Sequence, residues 1–467
     1  MFSIDRFPAA CKIVKLIHLV RFSVGISMIQ ALAEIVPVTL WDDLPSDAAH
    51  GLRQALQPDL LPIGIVTPRT VDQLSAVVAK LHHNRIAMVP MGSGTKLHWG
   101  APVTQPAMFI STEHLDQIVD HAVGDLTVTA QAGTEFQALQ SVLQQSGQFL
   151  AIDPSCLSET IGGSGTIGGI VATGDSGALR HRYNSVRDMV LGIEFVRSDG
   201  KIVKAGGRVV KNVAGYDLMK LMTGSYGTLG ILTQITMRLY PNQEASQTIL
   251  LAGDAEVLQR AIQGILNSGL TPSAMDLLSA GVMMALSLGL ATGPSMGLLI
   301  QFQGLTESVQ EQCDRVLELG KSLSLNAQVQ ATDQILWNQI SHLVSSPIVR
   351  DNMISNDIVC KWAVRSNQTV STLLQVQAMV PDVLARFHVS GGLGQLQLKG
   401  GVTRDMLQKI RSICELNGGF LSILMAPDDL KSKLDIWGFR GNGGSWMRSI
   451  RQQFDPFNIL SPGRMEF

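Results

Sequence analysis

From Thr67 onward, apolar and polar positions alternate between helical and extended spacing over short intervals. Val71, Leu74, Val77, Val78 and Leu81 recur on one helical face, behind Thr70 as N-cap with Gln73 at the capping-box position. The run Ile86–Val89 predicts a short buried strand that stops at Pro90, and Met108–Ser111 predicts another. Asp125–Gln131 reads as a strand ending at Gly133. Thr134 with Gln137 then opens a second capped helix that runs to about Gln145. Phe149–Ile152 returns as a strand and stops at Asp153-Pro154. Thr166–Thr173 is apolar, glycine-rich and poor in helix signals. Met189–Arg197 is a strand joined to Ile202–Lys204 by the turn Ser198-Asp199-Gly200-Lys201. Tyr216–Met222 predicts a short helix, and Gly227–Tyr240 a long strand closed by Pro241.

Beyond Pro241 the helical patterns lengthen, at Ala255–Leu266, Ala274–Leu290 and Ser308–Leu323. Strands such as Met296–Gln303, Val359–Val364 and Gly394–Lys399 separate them. From Trp437 a glycine-rich loop leads to a basic helix with Met447, Arg448, Ile450 and Arg451, then to Phe454-Asp455-Pro456. These changes divide the chain into an N-terminal segment 1–56, an α+β unit 57–242, a second α+β unit 243–436 and a tail 437–467. No solenoid-length repeat is visible.

A chain of 467 residues suits two or three domains, and 45% hydrophobic with 16% charged residues describes a well-buried globular protein. A net charge of −2 gives no reason to expect nucleic acid as a partner. Cys11, Cys156, Cys313, Cys360 and Cys414 are scattered, so their spacing builds neither a zinc site nor an iron–sulfur cluster, and fits free thiols in a reducing cytoplasm. Any electrons handled here must leave through another subunit or a soluble acceptor. Lys12, Lys15, His18 and Arg21 interrupt the apolar 11–36 stretch, which is therefore no membrane span. With no small-residue cleavage site of the signal-peptide kind, it reads either as an amphipathic surface helix or as the product of a start codon assigned too early, with Met28 the true beginning.

The chemistry begins at Pro90-Met91-Gly92-Ser93-Gly94-Thr95-Lys96. Two glycines one residue apart let the backbone turn sharply and expose consecutive N–H groups, a donor array for a phosphate or pyrophosphate. A plain strand-to-strand turn is the alternative. Leu97 to Pro102 cannot carry a helix, which excludes a Walker-type loop. Gly163-Ser164-Gly165-Thr166-Ile167-Gly168 spells the dinucleotide fingerprint, but with no strand before it and no helix expected after it. The histidines form no metal-binding pattern, and no nucleophile elbow is present. The run Arg208 to Asp217 is either a solvated loop or a lining for an anionic group.

Pro90 to Thr95, then Asp153-Pro154, then Thr166 to Thr173, then Gly224-Ser225-Tyr226-Gly227-Thr228-Leu229-Gly230-Ile231, taken in that order, resemble the PCMH-type FAD-binding domain of the vanillyl-alcohol oxidase type. Val210 to Leu218 and the tail Phe454 to Arg464 narrow the resemblance to the glycolate oxidase and D-lactate dehydrogenase branch, most closely the FAD-binding subunits of glycolate oxidase. The resemblance implies an α+β fold: a two-subdomain FAD domain, an α+β cap and a C-terminal tail returning to the FAD side. It implies FAD held at Pro90, Gly92, Ser93, Gly94, Thr95, Asp153, Thr166, Gly168, Gly169, Thr173, Gly230 and Ile231, without a covalent bond because Met91 and Ser93 flank the loop where some members carry a histidine. It further implies oxidation of a small 2-hydroxy acid such as glycolate, beside a second flavoprotein subunit and an iron–sulfur subunit that could bring the chain to a membrane surface. A stand-alone oxidoreductase and a non-catalytic flavin carrier are the alternatives. Two departures stand out: Tyr226 where relatives are acidic, and a cap without their metal-ligating histidine cluster. No motif names a catalytic residue; Arg365, Arg386 and His388 are the candidates in the cap.

Overall fold

In the computed structural model, residues 27–155, 165–208, 215–288, 296–331, 333–345, 349–350, 353–354, 356–431, 433–438 and 441–465 are described. The first sheet holds β1 (Val38–Leu40), β2 (Gly64–Val66), β3 (Ala87–Met91) and β4 (Ala107–Ser111) in the order β1-β2-β4-β3. β2 and β3 run parallel to β4, and β1 is antiparallel to β2. Helix Val71–His83 links β2 to β3 and buries Leu74, Val77, Val78 and Leu81, as the spacing predicts. The Thr70 side chain accepts from the Gln73 amide, and the Gln73 side chain accepts from the Arg69 amide. β3 does not stop at Pro90. It continues to Met91, which is opposite Ser111, because proline is tolerated in a strand at the sheet edge. Residues 27–33 are helical, with Met28 and Leu32 buried in the core under helix Val71–His83, so this part is not a surface helix; residues 11–26 lie outside the described residues.

The second sheet is antiparallel: β5 (Ile118–Ala122), β6 (Thr127–Gln131), β8 (Val190–Val196), β9 (Ile202–Gly206) and β10 (Ile231–Arg238), ordered β5-β6-β10-β8-β9. The strand expected at Phe149–Ile152 is reduced to β7 (Gln148–Phe149), paired with β11 (Tyr240–Pro241). The turn after β8 forms, with the Arg197 amide bonding the Lys201 carbonyl at 2.9 Å. Helix Phe136–Gln145 starts after Glu135, and Thr134 makes no cap bond. Thr166–Thr173 departs further from expectation, for Ile167–Thr173 is helical. The Thr166 side chain caps the Gly169 amide, Gly174 closes the helix in the left-handed region, and Ile167, Ile170 and Val171 are buried. Two caps and this packing outweigh the poor intrinsic propensity of Gly168 and Gly169.

The third sheet follows with β12 (Ala245–Gly253), β13 (Ala274–Leu278), β14 (Met296–Gly304), β15 (Asn326–Gln330), β18 (Ile358–Ala363), β19 (Leu384–His388), β20 (Leu393–Leu398) and β21 (Phe420–Met425). A small hairpin of β16 (Val349–Arg350) and β17 (Met353–Ile354) stands apart. The order is β15-β12-β14-β13-β19-β20-β18-β21, antiparallel throughout. The helix expected over Ala274–Leu290 splits into β13 and helix Ala280–Ala285, because an apolar run buried on both faces has no period to separate strand from helix. One face of the sheet is apolar: Met275, Leu277, Ile300, Phe302, Trp362, Phe387 and Leu396 pack with Ile262, Val316, Leu373 and Ile410 from the covering helices. Side chains alternate along strands, so the intervening positions Asp276, Gln301, Lys361, Arg386, His388, Gln395 and Gln397 belong to the opposite face. The tail adds helix Gly444–Phe454 and then runs beside β3, the Met88 amide bonding Ile459 and the Ser461 amide bonding Met88.

Candidate functional site

β3 delivers the chain to Gly92. A Cβ there would stand 2.1 Å from Thr166 Oγ1, so only glycine lets the loop close on the cap of helix Ile167–Thr173. Gly94 follows with φ +80°, a conformation side chains resist. Between these elements and β10 opens a cleft of about 850 Å³. Eleven of the twelve residues expected to hold the cofactor line it: Pro90, Gly92, Ser93, Gly94, Thr95, Thr166, Gly168, Gly169, Thr173, Gly230 and Ile231. Ser93 Oγ is buried there with no hydrogen-bond partner, an orphan donor that fits an anionic or carbonyl oxygen of a bound group.

Asp153 is not among the lining residues of the cleft. Its carboxylate accepts from the Ala178 and Leu179 amides at 2.6 and 3.1 Å, which fixes the turn leading into Arg180. Desolvation pushes this carboxyl up to about 7, against the pull of Arg386. The sequence run at Arg208–Asp217 also fails to reach the cleft where it is described. Arg208 pairs with Asp120 at 2.8 Å, Tyr216 is 91% exposed, and Asp217 caps helix Leu218–Met222; residues 209–214, like Gly163 and Ser164 of the fingerprint, lie outside the described residues.

The glycine loop is held from behind by residues distant in sequence. Lys96 pairs with Asp175 at 2.8 Å, both side chains nearly inaccessible. Arg464 donates to the Leu97 and Trp99 carbonyls at 2.8 and 2.6 Å, and Lys431 donates to those of His98 and Gly100. The Trp437 indole donates to the Arg464 carbonyl, and its ring meets Tyr226 edge-on at 4.9 Å. Tyr226 itself has φ +52°, and both it and Arg464 line the cleft.

A second pocket of about 360 Å³ shares Thr173 and Tyr226 with the cleft and is walled on its far side by the polar face of the third sheet. Arg180, Lys361, His388, Gln395 and Asp175 line it. Neither the Arg180 nor the Lys361 side chain has a hydrogen-bond or ion-pair partner among the described residues, and burial lowers the pKa of both by disfavouring the charged form, against the opposing pull of Asp153 and Asp188 on Arg180 and of Asp175 on Lys361. A polar thread runs behind the pocket. Asp175 accepts from Ser155 at 2.5 Å, Gln395 donates to Ser155, Arg386 donates to Gln395 at 2.8 Å and faces Asp276 at 3.7 Å, and Asp276 bonds His388 Nδ1 at 2.7 Å. Of the three cap candidates, Arg386 and His388 are buried beside this pocket, whereas Arg365 is exposed and takes no part. Arg180, Lys361 and Asp276 escape sequence reading because three separate segments supply them with no local motif. Among the described residues no group of three His, Cys, Asp or Glu side chains could hold a metal ion.

Residues 62–206 match the family model described as the FAD binding domain. The chain is 25% identical over 430 residues to glycolate oxidase subunit GlcD of Bacillus subtilis, covering 87% of this chain and 89% of that protein. It is 36% identical over 210 residues to glycolate oxidase subunit GlcE of Escherichia coli, covering 43% of this chain and 58% of that protein. Among solved structures, p-cresol methylhydroxylase superposes with a TM-score of 0.69 at 15% identity, covering 94% of this chain and 96% of that one. The fold is α+β with a PCMH-type FAD-binding domain, and the cofactor is FAD. The chain is an FAD-dependent oxidoreductase, similar to the glycolate oxidase subunits.

Proposed function

We propose that the chain binds FAD non-covalently at the cleft lined by Pro90 to Thr95, Thr166, Gly168, Gly169, Thr173, Gly230 and Ile231, and oxidises a small 2-hydroxy acid, glycolate to glyoxylate, in the pocket beside it. The observation that carries this reading is the pair of cations, Arg180 and Lys361, facing a small pocket with no anion among the described residues bound to either. Both cations are half-buried and no carboxylate lies within ion-pair distance of either, although Asp153 and Asp188 act on Arg180 and Asp175 on Lys361 from further off, and a substrate carboxylate supplies a direct partner. A fork-shaped guanidinium fixes the orientation of that carboxylate, and the half-buried ammonium adds charge without geometric demand. FAD, when bound, supplies the two-electron acceptor for the hydroxyl-bearing carbon. Ser93 Oγ and the turn amides suit its diphosphate, and the small residues at 168, 169 and 230 allow backbone to approach it closely.

The likeness to GlcD and GlcE supports a place for this chain in a glycolate oxidase complex, beside a second flavoprotein subunit and an iron–sulfur subunit. Among the described residues no helix is long and apolar enough to cross a membrane, and any contact with a membrane surface would run through those partners. The test is anaerobic addition of glycolate or D-lactate to the purified chain. Bleaching of the bound flavin by the chain alone marks a stand-alone enzyme, and bleaching only after the partners are added marks a complex. Retained flavin that neither condition bleaches leaves a flavin carrier, and a folded chain without flavin overturns the reading.

A further inference from the structure

We infer that His388 is the catalytic base of this pocket and that Asp276 is the residue that positions it; the inference rests on the substrate reading above. His388 ends β19 on the polar face of the third sheet, and Asp276 lies opposite it on β13 in the register of the ladder. Their side chains are 3% and 0% exposed and meet through Nδ1 and Oδ1 at 2.7 Å. Asp276 is assigned as the acceptor of this bond, which places the imidazole proton on Nδ1. Nε2 then carries a lone pair, and it has no hydrogen-bond partner among the described residues while His388 lines the pocket. An imidazole locked in one tautomer by a buried carboxylate, with its other nitrogen free in a cavity, is equipped to take a proton.

The charges around the ring favour the neutral form needed of a base. Arg386 on the same strand, Arg180 and His181 on the neighbouring helical turn, and Lys361 on β18 are cationic or potentially so; Asp276 and, further off, Asp175 oppose them. Burial, the largest influence, also disfavours the imidazolium, and the net effect is a lowered pKa. Asp276 has a second function besides orientation, since the imidazolium formed during turnover gains a counter-ion at hydrogen-bond distance. Arg386 faces the other Asp276 oxygen at 3.7 Å, so the carboxylate is held between the guanidinium and the imidazole.

The substrate hydroxyl would give its proton to His388 Nε2 as the C–H bond at the same carbon breaks and the C–O single bond becomes C=O; FAD, when bound, would supply the acceptor for the two electrons and the hydrogen that the carbon loses. The imidazolium would return its proton to solvent after the oxo acid leaves.

The test compares the full-length wild type with His388→Gln and Asp276→Asn. Flavin content and retention should match wild type in both, because neither residue lines the cofactor cleft. Anaerobic flavin reduction by the hydroxy acid should fall by about 10²- to 10⁴-fold in His388→Gln with little change in KM. In Asp276→Asn the acid limb of the pH–rate profile should move as well as the rate. Nitrogen NMR of the histidine rings supplies a readout independent of turnover, with the His388 resonance in the Nδ1–H form in wild type and shifted to the other tautomer in Asp276→Asn. Wild-type reduction rates in His388→Gln, or an Nε2–H tautomer in wild type, overturn the inference. A wild-type flavin that no 2-hydroxy acid reduces, with or without partner subunits, overturns the substrate reading instead, and the tautomer still decides whether the dyad exists.

Discussion

Lys96 and Asp175 form an ion pair of 2.8 Å with side chains 7% and 4% exposed, joining the cofactor loop to the wall of the neighbouring pocket. Burial alone would raise the Asp175 carboxyl. Lys96 and the two Ser155 donors outweigh it and hold the group below the ordinary carboxylate range. Lys96→Met leaves a buried carboxylate unpaired and is expected to cost about 3 kcal/mol or more in urea unfolding, with the double variant Lys96→Met/Asp175→Asn recovering part of it. Since the folded pKa is depressed, the contribution is present above the unfolded value near 3.8 and fades as the pH falls through the folded one. Equal losses in the single and double variants would remove the pair as a stabilising element.

Gly92→Ala should abolish flavin retention in an otherwise folded chain, because the new methyl would overlap the Thr166 hydroxyl that caps the adjoining helix. Gly124→Ala, where a Cβ meets nothing within 4 Å, is the matched control. The visible flavin spectrum after gel filtration reads both, and a yellow Gly92→Ala protein contradicts the placement of the cofactor.

Arg180→Ala and Lys361→Met should each raise KM for a hydroxy acid by about 10- to 100-fold, the loss of a charge-assisted hydrogen bond, while flavin content stays unchanged. A carboxylate inhibitor such as oxalate should weaken in parallel. Unaltered KM in both variants would separate this pocket from the substrate.

Asp153 gives a pH signature of opposite sign to Asp175. Its folded pKa of about 7 lies above the unfolded 3.8, so between those values the folded chain keeps a proton that the unfolded chain has lost. Stability is therefore expected to fall as the pH rises across that window and to level off above it. Asp153→Asn should flatten this slope in denaturation curves taken between about pH 4 and pH 8, and an unchanged slope would assign it to another group.

Local signals were readable where one physical cause dominated. Thr70 and the Val71–Leu81 spacing specify a helix without help from the rest of the chain, and the Asp199-Gly200 turn specifies its hairpin. Thr166–Thr173 and Ala274–Leu278 depart from their local signals because tertiary packing decides them: Ile167–Thr173 is a helix despite its glycines, and Ala274–Leu278 is a strand buried on both faces. The lining of the large cleft is legible because most of it falls in three short segments, Pro90–Thr95, Thr166–Thr173 and Gly230–Ile231, each with its own glycines. The pocket beside it is not. Asp276, Lys361 and His388 are brought together by the order of strands in a sheet and Arg180 by the short helix Arg180–Tyr183 packed against β13, and no spacing along the chain encodes either.

The tail beside β3 bears on when the cofactor can be captured during synthesis. Met88 exchanges backbone hydrogen bonds with Ile459 and Ser461, and Arg464 supports the carbonyls of Leu97 and Trp99. The glycine loop leaves the ribosome long before Ile459, Ser461 and Arg464, the residues that brace it. Nascent chains arrested before Ile459 are expected to emerge colourless even in excess FAD, and release of the remaining residues should bring the yellow colour with it. Flavin capture then waits for the segment from Ile459 to Arg464, and a chain truncated before it cannot sequester the cofactor.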